Sequence, residues 1–310
     1  MARMCVQAGT TTLRTHANIE PANGIGGVEA LNDVKNAVKD YVDIKITSLP
    51  NFFDTPEEQE KRIELIDEAA KNGLLDYIGG ANHMYDNCWE LTEKLFALAV
   101  KNDLPVDFHV DESDAPDVSD FMHVAELTKK YGYEGRVSCG HVTALNAVDD
   151  ETAAKAIAMA KDADLQIITL PSCNMYLMGR HDHQPIRRGI TRVKEFLEAG
   201  VNISYASDNV RDPFRPFGNG DMLEEALITA QVAQMATATD LKTVFRMGTF
   251  NPARTLQLEN YGLAEGCAAD LVIFEAADVP TAIISQATRR YVIKRGRVVA
   301  ETVKETKTAF

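Results

Sequence analysis

No cysteine pair in this chain has CxxC spacing, and the five that occur (Cys5, Cys88, Cys139, Cys173 and Cys267) are scattered and odd in number. That excludes a disulfide framework and matches the free-thiol usage of a reducing cytoplasm, the expected location. Positive charge is also scarce: 32 Lys and Arg face 46 Asp and Glu, a formal net charge of −14. Nucleic acid and anionic membrane would both repel such a surface, which leaves a small molecule as the expected partner. No apolar run approaches the roughly 18 residues that cross a bilayer. Met1 to Gly9 has neither the apolar core nor the cleavage site of a secretory leader and reads as the tail of a helix capped at Gly9. GxGxxG, P-loop and GxSxG motifs are absent too.

What the chain does have is length and a repeating layout. At 310 residues and 45% apolar it can bury a large core. An α/β barrel of roughly 250 residues with a small appendage fits that size. Short β-rich runs alternate with amphipathic stretches. Thr10 to His16 precedes a helical pattern of Val28, Leu31, Val34, Val38 and Tyr41. Asp43 to Leu49 precedes a helix opened by the capping box Thr55-Pro56-Glu57-Glu58. Asp76 to Ala81 precedes one carrying Leu91, Leu95 and Leu98, and Val106 to Glu112 precedes another near 118–130. Arg136 to His141 comes before a helix near 151–161. Leu165 to Leu170 runs into a long loop, 171–188, before a helix over 191–199. Val201 to Ser207 ends the series, and helices from Asp221 onward, with a core stripe over Met222 to Met235, close it. Seven such units in a row make a parallel sheet by the right-handed crossover rule, one strand short of a closed barrel.

After Asn251-Pro252 the pattern changes. Asp270 to Phe274, Arg290 to Ile293 and Arg297 to Ala300 read as short antiparallel strands joined by turns, with no partner evident in the sequence. The division is a barrel over 1–265 and a β segment over 266–310.

Chemistry-bearing residues recur where the strands leave the core. Val106-Asp107-Phe108-His109-Val110-Asp111-Glu112 ends in a histidine and a carboxylate, Val137 to His141 ends in a histidine, and Ile203 to Asp208 ends in an acid. Imidazole and carboxylate are ligands of zinc and comparable first-row metals, so His109 and Asp208 could share one ion. Such an ion lowers the pKa of water toward about 7. Glu112 could then carry a proton to a leaving nitrogen, and His141 could orient water or stabilise charge. Each residue also has a plainer reading: a lone strand-end histidine is more often a satisfied rim residue, and a lone acid more often a helix N-cap. His16 and His83 line a pocket or cap the barrel. His181-Asp182-His183 has ligand spacing but sits among Arg180, Arg187 and Arg188, which favours a solvated or substrate-covering loop. Phe52-Phe53 and Phe214 read as packing residues, with stacking on a flat ring as the alternative for an aromatic at a mouth.

These residues together resemble the cytosine deaminase and N-isopropylammelide isopropylaminohydrolase branch of the metal-dependent amidohydrolase superfamily. The markers are Gly9-Thr10-Thr11 with Arg14-Thr15-His16, Asp107 to Glu112, Gly140-His141, Arg187 to Lys194, Ser207-Asp208-Asn209 with Asp212-Pro213, and Gly266 with Ala269 to Ile273. The resemblance implies a (β/α)8 TIM barrel lacking its first strand, with a C-terminal remnant of a small β-sandwich. It implies one divalent ion, zinc or iron, held by His109 and Asp208. Asp208 would also take a proton from water, Glu112 would shuttle it to substrate, and His141 would face the attacking hydroxide. Asn51, His83 and Phe214 would contact the substrate, a flat nitrogen heterocycle losing an amine or ammonia. The family's His-x-His ligand pair is not found in this sequence, and Asn51 and Asn209 stand where cytosine deaminase has glutamine and aspartate. The expectation is therefore a family member without its N-terminal segment, with a homo-oligomer among its expected states, or else a non-catalytic heterocycle-binding barrel.

Overall fold

Seven strands run parallel in chain order: β1 (Thr12–Ala17), β2 (Asp43–Ser48), β3 (Ile78–Gly80), β4 (Val106–Val110), β5 (Val137–His141), β6 (Gln166–Thr169) and β7 (Asn202–Tyr205). The computed structural model describes residues 1–51 and 55–309, so Phe52-Phe53 lies outside the described residues. The β1–β2 pair joins the five-stranded β3-to-β7 sheet through a bridge between Thr47 and Tyr77. Between the strands lie α2 (Gly26–Val38), α3 (Pro56–Lys71), α4 (Cys88–Asn102), α5 (Ser119–Tyr131) and α6 (Asp150–Asp162), preceded by α1 (Ala2–Gln7). Then come α7 (Pro171–Leu177), α8 (Val193–Glu198), α9 (Met222–Val232), α10 (Ala238–Met247) and α11 (Phe250–Thr255).

The local signals act as their chemistry dictates. Thr55 Oγ1 accepts from the Glu58 amide while the Glu58 carboxylate accepts from the Thr55 amide at 3.3 Å, which fixes the start of α3. Leu91, Leu95 and Leu98 bury one face of α4 against the sheet, where Phe96 meets Phe108 of β4 at 6.4 Å between ring centres. On β4 the other face, carrying Asp107 and His109, turns inward by the period of two. The sheet curls enough for Arg14 of β1 to reach Asp107 of β4 at 2.7 Å and Ser138 of β5 at 3.0 Å across the interior. A flat sheet could not bring those strands together.

Three expectations need correction. The 171–188 stretch is not all loop, because Pro171 opens α7 at the position where its missing N–H costs nothing. Ser172, Cys173 and Asn174 are weak helix formers held there by burial. Val34 and Tyr41 do not join the buried face of α2: both are exposed, and Tyr41 lies beyond the helix end. The C-terminal strands are not joined by turns alone, since α12 (Val279–Ser285), capped by Asp278 on the Thr281 amide at 2.8 Å, separates β8 (Leu271–Phe274) from β9 (Arg289–Lys294).

The three-stranded sheet, ordered β10 (Arg297–Glu301), β9, β8, also has the partners that the sequence does not reveal. Helix α1 lies against β9 and β10. Lys294, only 1% exposed, pairs with Asp43 at the start of β2 at 2.7 Å and with Asp270, and Arg295 reaches Asp43 at 2.6 Å. A buried ammonium between two carboxylates ties the appendage to the end of the barrel opposite the strand-end histidines. A cavity of about 270 Å³ is lined by Thr10–Thr12 beside β1, Tyr205 of β7, and Leu271 and Val272 of β8.

Candidate active site

The C-terminal ends of β4, β5 and β7 deliver His109, His141 and Asp208 to one small volume. His141 Nε2 is 3.2 Å from His109 Nδ1 and 3.9 Å from Asp208 Oδ2, so one nitrogen lies within 4 Å of both expected metal ligands. Glu112 Oε1 stands 3.2 Å from His141 Nδ1. All four side chains expected at the centre are therefore together.

The backbone there is under constraint. His141, Val142 and Asp208 adopt φ of 70°, 50° and 58°, the left-handed region that ordinary side chains avoid. Such conformations cost on the order of 1–3 kcal/mol each and persist where surrounding structure imposes them. Around Asp208 that structure is Arg215, 4% exposed, whose guanidinium holds the carbonyls of Ser207 and Asn209 at 3.3 and 2.8 Å. Around His141 it is Asn174 of α7, whose Nδ2 lies 3.0 Å from both Glu112 Oε1 and His141 Nδ1.

Electrostatics divide the histidines. Burial alone would push His141 down, but the Glu112 and Asp208 carboxylates carry its pKa to about 9. Burial, reinforced by His16 and His141, holds His109 well below the ordinary range, so its imidazole is neutral and has a lone pair to give. Burial would raise Glu112, yet His141 beside it lowers its pKa and keeps it ionised.

The His109–His141 contact at 3.2 Å has the length of a hydrogen bond from the protonated His141 to the neutral His109. The donors that fit a metal ion lie beside it. Glu112, Cys173 and Asp208 also bring one donor atom each within 4.8 Å of one another. Cys173 is a site residue that spacing in the sequence does not flag, because α7 looks like loop there.

Other expected residues fall differently. His83 lies in a short 3₁₀ turn with Nδ1 3.0 Å from the His109 carbonyl, so its ring abuts β4 at the rim. Asn51 is exposed at the end of β2, where it accepts from the Tyr85 hydroxyl at 3.3 Å. Phe214 is 65% exposed and so is not a packing residue. His181 and His183 are exposed on a loop where Asp182 pairs with Arg187 at 2.7 Å, which leaves that trio a solvated turn. His16 points inward, 2.9 Å from Asp107 and 3.3 Å from His109.

This arrangement can be set beside known proteins. The model of the amidohydrolase family matches residues 7–300. The chain belongs to that family. It is 33% identical over 305 residues to N-isopropylammelide isopropyl amidohydrolase of Pseudomonas sp. (strain ADP), covering 97% of this chain and 71% of that relative. Pterin deaminase of Rhizobium rhizogenes is 32% identical, covering 94% of this chain and 66% of its own. The crystal structure of 5-methylcytosine deaminase from Klebsiella pneumoniae, liganded with phosphonocytosine, superposes with a TM-score of 0.92 at 30% identity over 99% of this chain and 75% of that one. Parallel strands alternating with helices, as in this family member, are the α/β barrel architecture expected of the sequence.

Proposed function

We propose that this amidohydrolase removes ammonia or an amine from a flat nitrogen heterocycle of the cytosine, pterin or aminotriazine type by metal-dependent hydrolysis. The observation that carries the reading is the convergence of a neutral His109, a cationic His141, Asp208 and an ionised Glu112, with His141 within 4 Å of the other three. The named relatives, which act on an ammelide, a pterin and a methylcytosine, support the substrate class.

In this reading His109 and Asp208 hold a divalent ion, zinc or iron, with Cys173 and His141 beside them. When bound, the ion's contribution is to make water nucleophilic near neutral pH. Asp208 accepts a proton as water attacks the amine-bearing carbon. Glu112, ionised at rest and oriented by Asn174, takes up that proton and gives it to the departing nitrogen, which then leaves neutral. His141, carrying positive charge beside the reacting carbon, stabilises the developing negative charge. Phe214, exposed at the mouth, stacks on the ring; Asn51 and His83 lie at the end of β2 and beside β4, where ring-edge polar atoms would be read.

The test is release of ammonia or amine from a panel of aminopyrimidines, aminopterins and alkylaminotriazines by zinc- or iron-loaded protein. Turnover that disappears in Glu112→Gln supports the reading over a non-catalytic binding barrel. Stoichiometric metal with no turnover of any panel member refutes it.

A further inference from the structure

Directly beneath His109 lies a polar cluster that the proposed reaction leaves without a role. Asp107 precedes His109 by two residues and shares its inward face, and its side chain is 2% exposed. Its Oδ1 accepts from Arg14 Nη2 at 2.7 Å and from Ser138 Oγ at 2.8 Å. Its Oδ2 lies 2.9 Å from His16 Nε2. That same nitrogen of His16 lies 3.3 Å from His109 Nε2, with the two rings edge-on at 90° and their centres 4.9 Å apart. His109 is thus gripped on both edges: Nδ1 faces His141, and Nε2 faces His16, which the Asp107 carboxylate holds through the same nitrogen.

An imidazole that gives its Nδ1 lone pair to a cation carries its proton on Nε2. In this ring that proton points at His16 Nε2, the nitrogen that Asp107 Oδ2 in turn holds at 2.9 Å. Metal-ligating histidines are commonly oriented by such a carboxylate or imidazole on the far nitrogen, which fixes tautomer and ring angle together. We infer that His16 and Asp107 are positioning residues for His109, holding its Nδ1 toward the metal position. The inference rests on the reading of His109 as a ligand and adds to it the source of that ligand's orientation. The competing role, a staple that only joins β1 to β4, would run through the Arg14–Asp107 pair and would not need His16.

Zinc affinity of the full 310-residue chain, measured by competition with a chromophoric chelator, separates these roles when paired with the melting temperature of the metal-free protein. His16→Phe keeps the ring shape without nitrogen, and Asp107→Asn keeps the shape without charge. Both are expected to weaken zinc binding roughly 10- to 100-fold. His16→Gln, which returns a polar group near the Nε2 position, recovers part of the loss. Arg14→Met lowers the melting temperature and leaves zinc affinity near that of the unmodified chain. Should Asp107→Asn not fold, His16→Phe carries the comparison, because His16 is 28% exposed and outside the tightest packing. If His16→Phe binds zinc as the unmodified chain does while His109→Ala does not, the positioning role is wrong and His109 remains a ligand. If His109→Ala also binds unchanged, or the unmodified chain takes up no zinc, the ligand assignment falls and the inference with it.

Discussion

Replacing Glu225 by glutamine should stabilise the protein at alkaline pH, although it deletes a charge beside an arginine. Glu225 on α9 is 3% exposed. Its Oε1 accepts from Ser172 Oγ at 2.5 Å, its Oε2 has no hydrogen-bond partner among the described residues, and Arg215 Nη2 is 4.0 Å away. Burial therefore outweighs Ser172 and Arg215, and the carboxyl pKa rises from 4.5 to about 7. An acid raised in the folded state contributes its full stability below its unfolded value and loses it as pH climbs through the folded one. With those two values, ionisation of this one group costs roughly 2.5 kcal/mol of folding free energy between pH 5 and pH 8. Glutamine has nothing to ionise, so the difference in unfolding free energy between wild type and Glu225→Gln should swing by that amount in favour of the variant. Urea unfolding of both proteins at the two pH values measures it, since every other titrating group cancels in the difference. A difference that stays constant across the range would refute the argument. The site gives the result a second meaning, because Arg215 is also the group that holds the carbonyls flanking Asp208.

Three further outcomes are expected. Glu112→Gln should lower kcat by roughly 10²- to 10⁴-fold, the usual worth of a general acid–base, while zinc stoichiometry measured by atomic emission stays unchanged. Lys294→Ala removes the buried ammonium between Asp43 and Asp270 and should cost about 1–3 kcal/mol in chemical denaturation, because Asp270 loses its cation while Asp43, a third exposed, keeps Arg295. Phe214→Ala should raise KM several-fold, in line with about 0.5–1.5 kcal/mol for one aromatic stack, without moving the melting temperature, as its ring is mostly in solvent.

The order of strands and the residues at their ends were legible because both follow from short-range chemistry. A β-branched run ends in a polar residue when it reaches the sheet edge, and the capping box at Thr55 announces α3 in four letters. Helix α7 was not legible. Its Ser172, Cys173 and Asn174 favour caps and turns, and only burial against the barrel makes them helical, so Cys173 and Asn174 could not be assigned to the centre. The partners of the C-terminal sheet were hidden for a related reason: Lys294 and Asp43 are 251 residues apart, and no periodicity links them. Val34 shows the opposite failure, an apolar residue at helical spacing that the fold leaves at the surface. Cys139, fully buried in the core, packs as a small hydrophobe.

The charges around His109 give an independent reason to expect a cation. Three carboxylates, Asp107, Glu112 and Asp208, converge on the ends of β4, β5 and β7, and Arg14 and the protonated His141 oppose them. Burial keeps His109 neutral, so it adds nothing to the positive side. The cluster is left one positive charge short in a poorly solvated setting, where an uncompensated charge costs several kcal/mol. A divalent ion held by His109 and Asp208 would reverse that sign. Its arrival should also draw His141 down from its elevated pKa, because a cation beside it opposes the pull of Glu112 and Asp208. The same ion would thus hold the nucleophile's place and balance the carboxylates, while Glu112 and Asp208, still flanking His141, favour the positive charge it needs.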